Sequence, residues 1–446
     1  MRARANEGVG PLIETTDSAV RRTSIACAAT PELRPLTAGV IHCADLAVCT
    51  LGAKRHPQKY GSGRAQDRFG YDNRMLKTVQ SLIQQGIDDQ LHRGAQVCVS
   101  RRGEIIEELA VGEASAGHAM TNDGIALWMS SGKPITAAAI LQLVEHGEIE
   151  LDDAVAEFMP TFAAHGKQGI TIRHLLTHTA GIRTARFKFP QDDWDTIIAA
   201  ICDARPEVDW EAGEKGGYHT QTTWFLLGEL VRLVDGRTID QYVREELFLP
   251  LGMNDSWMGM PPEVYKGYEQ SGRLFDMPNT ATVGSGGQPM PAPMTSFDWS
   301  TRPRPGGNCM GPIRELVLFY EMLLGQGERG GVRVLKPDTV AQMTHRQRAD
   351  MHDETFKQTV DWGLGVAMNS AHHAPNGAWH RIPYGYGPHA SRDTFGHGGA
   401  QSSIAFADPQ HQLAVGIVFN GMPGEAKHQQ RANAVLEALY VDLKLA

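Results

Sequence analysis

The stretch WMSSGKPITAAAI, Trp128–Ile140, opens a segment in which apolar residues continue to Val144 with hardly a polar break. A helix of this composition is apolar on nearly all sides and is typical of a protein core. Ser130 and Lys133 lie at its first turn, where a spacing of three places both side chains on one face. Burying a lysine amine is costly unless the amine has a partner or a chemical task. The stretch therefore predicts a central helix and raises the question of what Lys133 does there.

Two interpretations of the Ser130–Lys133 pair compete. In the first, Ser130 or Ser131 caps the helix and Lys133 extends its amine to water. In the second, Ser130 is a nucleophile and Lys133, with its pKa lowered by burial, accepts the hydroxyl proton. An S-x-x-K tetrapeptide does not separate the two interpretations, because a chain of 446 residues can hold one by chance. Other residues must decide.

The composition is that of a globular protein, with 41% hydrophobic and 21% charged residues. No run of eighteen apolar residues indicates a membrane span, and the first twenty residues lack the unbroken apolar stretch of a signal peptide. We therefore expect a cytoplasmic protein without a membrane span. The six cysteines show no C-x-x-C spacing, which favours free thiols in a reducing compartment over a disulfide framework.

Charge and pattern set the first seventy residues apart. Residues 1–70 hold ten Lys/Arg and six Asp/Glu, so the remaining 32 basic and 45 acidic residues give the rest of the chain a net charge of −13. An acidic body argues against nucleic acid as a partner. Because residues 1–70 lack sustained apolar periodicity, we expect a disordered extension or a start assigned too far upstream, with Met75 as an internal initiator.

From residue 71 onward the pattern predicts one α/β (α+β) domain, residues 71–446. Two hairpins are expected, around Arg101-Arg102-Gly103 and around Pro409-Gln410, because strand-like segments flank each turn. HLLTHTAGI predicts a short helix that stops at Gly181. The longer helical patterns are Asp72–His92, Trp194–Ala204, Thr222–Val234, Thr238–Phe248, Pro312–Leu324 and Ala426–Leu443.

Strands near both termini with helices between them indicate one antiparallel sheet that is built from both chain ends and flanked by terminal helices. A large, mostly helical lobe is inserted between the strands. The expected division is a sheet lobe at about 71–125 and 350–446 and a helical lobe at about 126–349. In this lobe Thr238 and Gln241 form a capping-box pair, and the Gly- and Pro-rich segment Pro278–Gly311 is expected to be a long loop beside a site.

Three further stretches accompany S-x-x-K in a fixed order. HLLTHTAGI follows it, GGYHTQTTWFLLGELV places Tyr218 just before a helix, and DTFGHGGAQSS places His397-Gly398-Gly399 on a strand. Together these motifs resemble the serine β-lactamase and penicillin-binding protein superfamily, nearest to class C β-lactamases and the related carboxylesterases and D-aminopeptidases. The resemblance extends from about Asp72 to the C terminus and favours the nucleophile interpretation of Ser130.

The resemblance implies roles for three catalytic side chains. Ser130 is expected to attack an acyl carbonyl and to form an acyl-enzyme. Lys133 and Tyr218 are expected to share the proton, with Tyr218 as general base or relay and Lys133 holding down the pKa of Tyr218. Neither a metal nor an organic cofactor takes part.

The resemblance also implies a binding strand. The backbone N–H groups of Ser130 and Ala400 match the oxyanion hole of the family. His397 is expected to contact the substrate or the tyrosine. Gly398 and Gly399 suit such a strand, because a substrate can lie against a backbone that carries no side chains.

The sequence departs from the family pattern at two positions. Most relatives have Tyr-x-Asn, whereas Tyr218-His219-Thr220 places a hydroxyl of shorter reach in the third position. His397-Gly398-Gly399 replaces Lys-Thr-Gly and removes the cation that meets the carboxylate of a β-lactam. Both departures favour an esterase-like or acyl-transfer enzyme over an efficient β-lactamase.

Several weaker signals are set aside. His174 and His178 are spaced i, i+4 but lack the glutamate of H-E-x-x-H, so no metal is expected there. His372-His373 lie in a Gly/Pro-rich segment that we expect to be a solvated loop. GQGERG, residues 325–330, follows a helix and precedes a strand, the reverse of a dinucleotide-binding motif. The absence of G-x-S-x-G argues against an α/β-hydrolase.

The sequence thus predicts a serine hydrolase that cleaves an ester or small amide, a small-molecule substrate, through Ser130, Lys133 and Tyr218. A D-aminopeptidase, a D,D-peptidase or a transacylase with the same mechanism is an alternative, and so is a catalytically silent ligand-binding homologue. Neither the acyl group, the acceptor nor the oligomeric state follows from these patterns.

Overall fold

The two ends of the chain meet in one antiparallel sheet. The computed structural model describes residues 75–283, 289–290 and 292–446, and the expected extension at residues 1–70 lies outside them. The described strands are β1 Gly94–Arg101, β2 Glu104–Ser115, β3 His118–Ala119, β4 Ala126–Leu127, β5 Trp257–Met258, β6 Asn279–Val283, β7 Pro289–Met290, β8 Cys309–Gly311, β9 Glu328–Arg329, β10 Val332–Arg333, β11 His352–Asp353, β12 Gln358–Thr359, β13 Ala367–Met368, β14 Phe395–Gly399, β15 Ser403–Asp408 and β16 Leu413–Phe419.

The main sheet has seven strands in the order β13-β14-β15-β16-β1-β2-β3, and all of its pairs are antiparallel. The two predicted hairpins are β1–β2 and β15–β16. Arg102 and Gly103 have φ values of +56° and +80°, as a two-residue turn between strands of right-handed twist requires. The central pair β1–β16 joins the two ends of the domain, which confirms the predicted fold class.

The helices in chain order surround this sheet and fill the segment between its two halves. They are α1 Lys77–Asp88, α2 Lys133–His146, α3 Val155–Phe158, α4 Ile172–Leu176, α5 Trp194–Cys202, α6 Thr222–Val234, α7 Ile239–Val243, α8 Pro262–Gln270, α9 Phe297–Ser300, α10 Ile313–Leu324, α11 Pro337–Thr344 and α12 Glu425–Asp442.

Both faces of the sheet are covered. The helices α1 and α12 pack on one face, and the Asp442 carboxylate joins them by accepting hydrogen bonds from Thr78. On the other face α10 lies against β1, β15 and β16. The buried Gln96 of β1 fixes the start of α10, because its Oε1 accepts the N–H of Ile313 at 3.0 Å.

The helix α2 is the centre of the helical part, as its composition predicts. Its residues from Lys133 to Leu143 are all buried, and α2 packs against α6 and α7. Pro134 is tolerated in the first turn, where the missing N–H has no helical acceptor, and Gly147 ends the helix with a φ of +74°. The first turn of a wholly buried helix therefore holds Lys133 inside the protein.

Three local expectations are wrong. The helix α4 ends at Leu176, before Gly181, because His178 has a φ of +60°. The segment 238–248 divides into α7 and a π-helical turn, and the side chain of Thr238 makes no capping hydrogen bond. In Pro278–Gly311 the described residues include strands β6 and β8 and helix α9, so the segment is not one long loop.

Among the described residues, every helix is too short or too polar to cross a membrane.

Candidate active site

Ser130 follows a strained residue at the entrance of α2. Met129 has a φ of +51°, a left-handed conformation that costs about 1–3 kcal/mol for a residue other than glycine. It begins the 3-10 turn Met129–Gly132, which leads directly into α2. Ser131 is buried and donates to the carbonyl oxygen of His397 at 2.9 Å, whereas Ser130 is only half-buried. The turn thus fixes Ser131 in the core and leaves Ser130 accessible.

Lys133 is fully buried, with 0% of its surface exposed. Its Nζ lies 3.0 Å from Ser130 Oγ and 3.0 Å from the carbonyl oxygen of Thr220, and it also donates to the carbonyl oxygen of Gly306. Burial lowers the pKa of Lys133 well below its ordinary value, and the nearby charge of Arg304 lowers it further. The interpretation of Lys133 as a lysine that extends to water is therefore wrong.

Tyr218 lies against Lys133 in an aromatic setting. Its ring stacks between Phe356 and Trp362, with centroid distances of 5.1 and 5.7 Å, and the ring centroid is 5.3 Å from Lys133 Nζ. Burial raises the pKa of Tyr218 to about 12, although interactions with the Ser130 and Tyr384 hydroxyls oppose the rise. The structure thus differs from the expectation that Lys133 holds this pKa down.

His397 is buried beside Tyr218 and Tyr384, at ring-centroid distances of 5.8 and 4.9 Å. Its Nδ1 lies 2.7 Å from the carbonyl oxygen of Gly398, so Nδ1 carries the hydrogen and Nε2 is the basic nitrogen. Burial, and then the charge of Lys133, lower the pKa of His397 to about 3. The imidazole is therefore neutral at pH 7.

The end of β14 meets the turn that carries Ser130. A side chain at Gly399 would collide with the carbonyl oxygen of Trp128 and with Ser403, so only glycine permits this contact. Ala400, the next residue, is exposed, and within the described residues its N–H has no hydrogen-bond acceptor. The close approach at Gly399 therefore brings a free N–H donor to the level of the Ser130 turn.

The geometry agrees with what comparison of the whole chain finds. The family model described as Beta-lactamase matches residues 79–440. The chain belongs to the beta-lactamase family. The family resemblance predicted from the sequence motifs is thereby confirmed.

Relatives in this family bear several names. The chain is 29% identical to penicillin-binding protein 4 of Amycolatopsis lactamdurans, an alignment that covers 74% of this chain and 81% of the relative. It is 26% identical to the esterase/beta-lactamase LipL of Mycobacterium tuberculosis, over 67% and 70% of the two chains. These relatives differ in activity by name while they share one family.

Solved structures give the same result. A penicillin-binding protein homolog from Caulobacter crescentus superposes with a TM-score of 0.69 at 26% identity and covers 82% of this chain and 97% of its own. A family VIII carboxylesterase superposes with a TM-score of 0.66 at 26% identity, with the same coverage.

Two of the predicted binding residues of this beta-lactamase family member have unexpected surroundings. The side chain of Thr220 is exposed, and its backbone carbonyl contacts Lys133. At Gly398, the space that a side chain would fill is occupied by the ring of Tyr384. Tyr384, Gly398 and Ala400 line a cleft of about 230 Å³ together with Phe356 and residues of α12.

The sequence interpretation did not place one buried ring, that of His178, and one cation at the site. His178 packs against Tyr218 and Trp362, with ring centroids 4.9 and 4.4 Å away. Its position in HLLTH was available as a signal, because a polar residue inside an apolar motif is expected to have a partner. The cation is Arg304, in the Gly- and Pro-rich segment that was expected to border the site. No periodic pattern identifies it.

The two histidines of HLLTH do not form a ligand pair, because His178 lies beyond the end of α4 and its Nδ1 accepts the N–H of His219 at 3.1 Å. Elsewhere in the described part of the chain, Asp350, Asp361, His372 and His373 place possible ligand atoms within 4.8 Å of one another. The central carboxylate, Asp361, already pairs with Arg346 and His373, at 3.0 and 2.9 Å.

Proposed function

We propose that the chain hydrolyses an ester or a small amide through an acyl-enzyme on Ser130, with Lys133 and Tyr218 as the proton relay. The general class, a serine hydrolase acting on ester or amide bonds, follows from the family and from relatives named as esterase, carboxylesterase and D-alanyl-D-alanine carboxypeptidase. The observation that carries the finer proposal is the contact of 3.0 Å between the buried Lys133 Nζ and Ser130 Oγ.

The surroundings of Lys133 suit a change of protonation state. As an ammonium, Nζ donates three hydrogen bonds, to Thr220, Gly306 and Ser130. As a neutral amine, it keeps two N–H bonds to the carbonyl oxygens and turns its lone pair toward Ser130 Oγ–H. Because burial favours the neutral form, Lys133 can accept the serine proton when Oγ attacks the acyl carbon.

Tyr218 acts as a neutral phenol in this scheme. A pKa of about 12 keeps its proton in place at pH 7, so it does not act as a preformed phenolate base. Its buried hydroxyl makes no hydrogen bond of good geometry to any described residue. It can therefore pass its proton to the departing alkoxide and regain one from the Lys133 ammonium, which returns the relay to its first state.

Two backbone donors serve the developing oxyanion. The N–H of Ser130 and the free N–H of Ala400 are the candidates, and donors of this kind are each worth roughly 3–4 kcal/mol of transition-state stabilisation. The 3-10 turn that begins at Met129 and the side-chain-free contact at Gly399 bring the two segments together. Fixed donors lower the barrier because they need no reorganisation during the reaction.

Labelling tests the nucleophile. A fluorophosphonate should modify wild type once, at Ser130, as measured by intact-mass spectrometry and peptide mapping. The Ser130→Ala variant should stay unmodified, and the Ser131→Ala variant should be modified like wild type, because Ser131 Oγ is buried and already bonded. Equal modification of Ser130→Ala would overturn the assignment.

The substrate class rests on the two departures from the family pattern. His397 is neutral and buried, and the Thr220 side chain is exposed, so neither supplies the cation or the amide that favours β-lactams. We expect p-nitrophenyl esters to be cleaved faster than nitrocefin by orders of magnitude. D-Amino acid p-nitroanilides, measured beside them, test the aminopeptidase alternative. Nitrocefin turnover equal to that of the best ester would contradict the esterase proposal.

A further inference from the structure

Arg304 lies beside the reacting groups. Its segment is held to the catalytic helix at two points, since Gly306 accepts a hydrogen bond from Lys133 and Pro305 accepts one from Thr136 at 2.9 Å. The Arg304 Nε donates to Gln221 Oε1 at 3.3 Å, and Gln221 follows Thr220, another acceptor of the Lys133 amine. The guanidinium therefore bridges the two loops that hold Lys133.

The guanidinium has no counter-ion in the part of the chain that the structure describes. Within the described residues, Arg304 forms no salt bridge, and Nε makes the one side-chain hydrogen bond that Arg304 has. The plane of the guanidinium is supported by aromatic rings, with its central carbon 5.0 Å from the ring centroid of Trp299 and 5.6 Å from that of Phe189. The residue is half-buried, so the two terminal nitrogens remain available to a ligand.

An arginine in these surroundings is suited to binding a carboxylate or another oxyanion. Its fork of N–H donors matches a carboxylate in geometry and charge, and the aromatic support reduces the freedom lost on binding. The charge of Arg304 lowers the pKa of Lys133. An incoming carboxylate would satisfy the guanidinium and would remove a positive field from the relay at the same time.

We propose that Arg304 binds a carboxylate of the substrate, so that the enzyme prefers esters that carry a negative charge away from the scissile bond. This inference rests on the proposed function. The carboxylate is on the acyl group or on the leaving group, and the chemistry of recognition is the same for both. The binding site differs from the β14 strand, where relatives place their cation, because Arg304 lies on the loops beside Thr220 and Gly306.

A second role for Arg304, in tuning the protonation of Lys133, would have a different effect on the kcat/KM values. If Arg304 only tuned the protonation of Lys133, its removal would slow anionic and neutral esters by the same factor. The ratio of the two kcat/KM values isolates carboxylate binding from that effect.

The kinetic test compares p-nitrophenyl hemiglutarate with p-nitrophenyl pentanoate, which has the same chain length without the charge. A second arm compares the butyrate esters of 3-hydroxybenzoate and phenol, which place the charge on the leaving group. In wild type, one arm should favour the anionic ester. Arg304→Gln should reduce that preference roughly 10- to 100-fold, the usual effect of losing a charge-assisted hydrogen bond, and Arg304→Lys should restore part of it. Arg302→Gln, which removes an exposed arginine from the same segment, is the matched control and should keep the wild-type ratio.

A binding measurement decides the inference even if ester turnover fails. The hemiglutarate ester is titrated calorimetrically into Ser130→Ala and into Ser130→Ala/Arg304→Gln. The 3-carboxyphenyl butyrate ester, with its charge on the leaving group, is titrated in the same way. A dissociation constant at least tenfold weaker in the double variant for either ester supports the proposal. Equal affinities for both anionic esters, or an unchanged ratio in both kinetic arms, overturn it. Loss of Ser130-dependent turnover for all esters would instead contradict the proposed function.

Discussion

Lys133 and Lys167 are two fully buried lysines whose amines have nearly the same set of hydrogen-bond acceptors. Each side chain is 0% exposed, and neither forms a salt bridge among the described residues. Lys167 Nζ donates to the carbonyl oxygens of Ala164, Cys202 and Ala204 at 2.7, 2.9 and 2.6 Å. Lys133 donates to two carbonyl oxygens and to one hydroxyl. The hydrogen-bond acceptors of the two amines differ in kind only at the third position.

In the proposed mechanism, that difference separates a structural lysine from a reactive one. A carbonyl oxygen only accepts hydrogen bonds, so a deprotonated Lys167 with two N–H bonds would leave one carbonyl unsatisfied. A hydroxyl both donates and accepts, so Ser130 can satisfy Lys133 in either protonation state. The charged neighbours act in the same sense, because Arg304 lowers the pKa of Lys133 whereas Asp203 opposes the lowering at Lys167. Burial alone therefore does not mark a catalytic lysine.

The largest expected effect is on turnover. Lys133→Met should reduce kcat/KM for p-nitrophenyl butyrate by roughly 10³-fold or more, because the proton acceptor for Ser130 is lost. Lys167→Met should leave kcat/KM within about twofold of wild type, since its carbonyl partners lie outside the site. Circular dichroism establishes that both variants are folded. Comparable losses in the two variants would contradict the distinction.

The second effect is on stability, and here Lys167→Met should cause a larger loss than Lys133→Met. Lys167→Met leaves three carbonyl oxygens without a donor and should lower the free energy of unfolding by about 2–4 kcal/mol. Lys133→Met also removes donors, but the hydrogen bonds of a neutral amine are weaker than those of the Lys167 ammonium, so we expect a loss of about 1 kcal/mol or less. Urea unfolding followed by circular dichroism measures both. A larger loss for Lys133→Met would show that its amine is mainly structural.

The third effect is a shift of the pH profile. In the proposed mechanism the neutral amine of Lys133 is the active form, so kcat/KM for a neutral ester should rise with pH and level off below the ordinary pKa of lysine. Arg304→Gln removes a charge that lowers the pKa of Lys133, so the rising limb should move to higher pH. With Arg302→Gln as control, the limb should not move. A limb that keeps its position in Arg304→Gln would contradict its assignment to Lys133.

The sequence predicts the fold because the central helix and the hairpins depend on local patterns, whereas Ser130 as nucleophile stays a prediction. The apolar segment after Ser130 identifies α2, and the alternation around Arg101-Arg102-Gly103 identifies the first hairpin. The opposite outcome holds for helix ends and caps. The backbone at His178 has a positive φ that the neighbouring sequence does not indicate. Thr238 lies in a capping-box sequence, but its side chain makes no capping hydrogen bond.

The electrostatic half of the site was not predictable in the same way. The pKa of Tyr218 depends on burial and on the hydroxyl of Tyr384, which lies 166 positions further along the sequence. Arg304 reaches the site because Gly306 and Pro305 are anchored to α2 by their carbonyl oxygens. Such contacts join segments that are distant in sequence, and neither spacing nor composition encodes them.

The smallest expected effect concerns two thiols that report on the lysines. Cys309 lies near Lys133 and Cys202 near Lys167, and all three cysteines in the described residues are buried and free. Burial raises the pKa of Cys309 to about 12 and raises that of Cys202, although each lysine opposes the rise. Both thiols should therefore remain protonated. Iodoacetamide at pH 8 should modify neither before urea is added, and activity should stay within about twofold of the untreated enzyme.

The outcome for Cys309 bears directly on the mechanism. A thiolate at Cys309 would stabilise Lys133 as an ammonium, and an ammonium cannot accept the proton of Ser130. Rapid alkylation of Cys309 in the native enzyme, located by peptide mapping, would therefore remove the difference between the two lysines that the proposed mechanism requires. Cys202 is the internal control, because its lysine is expected to stay charged. Protection of Cys309 with full activity, followed by modification in urea, is the result that a neutral Lys133 predicts.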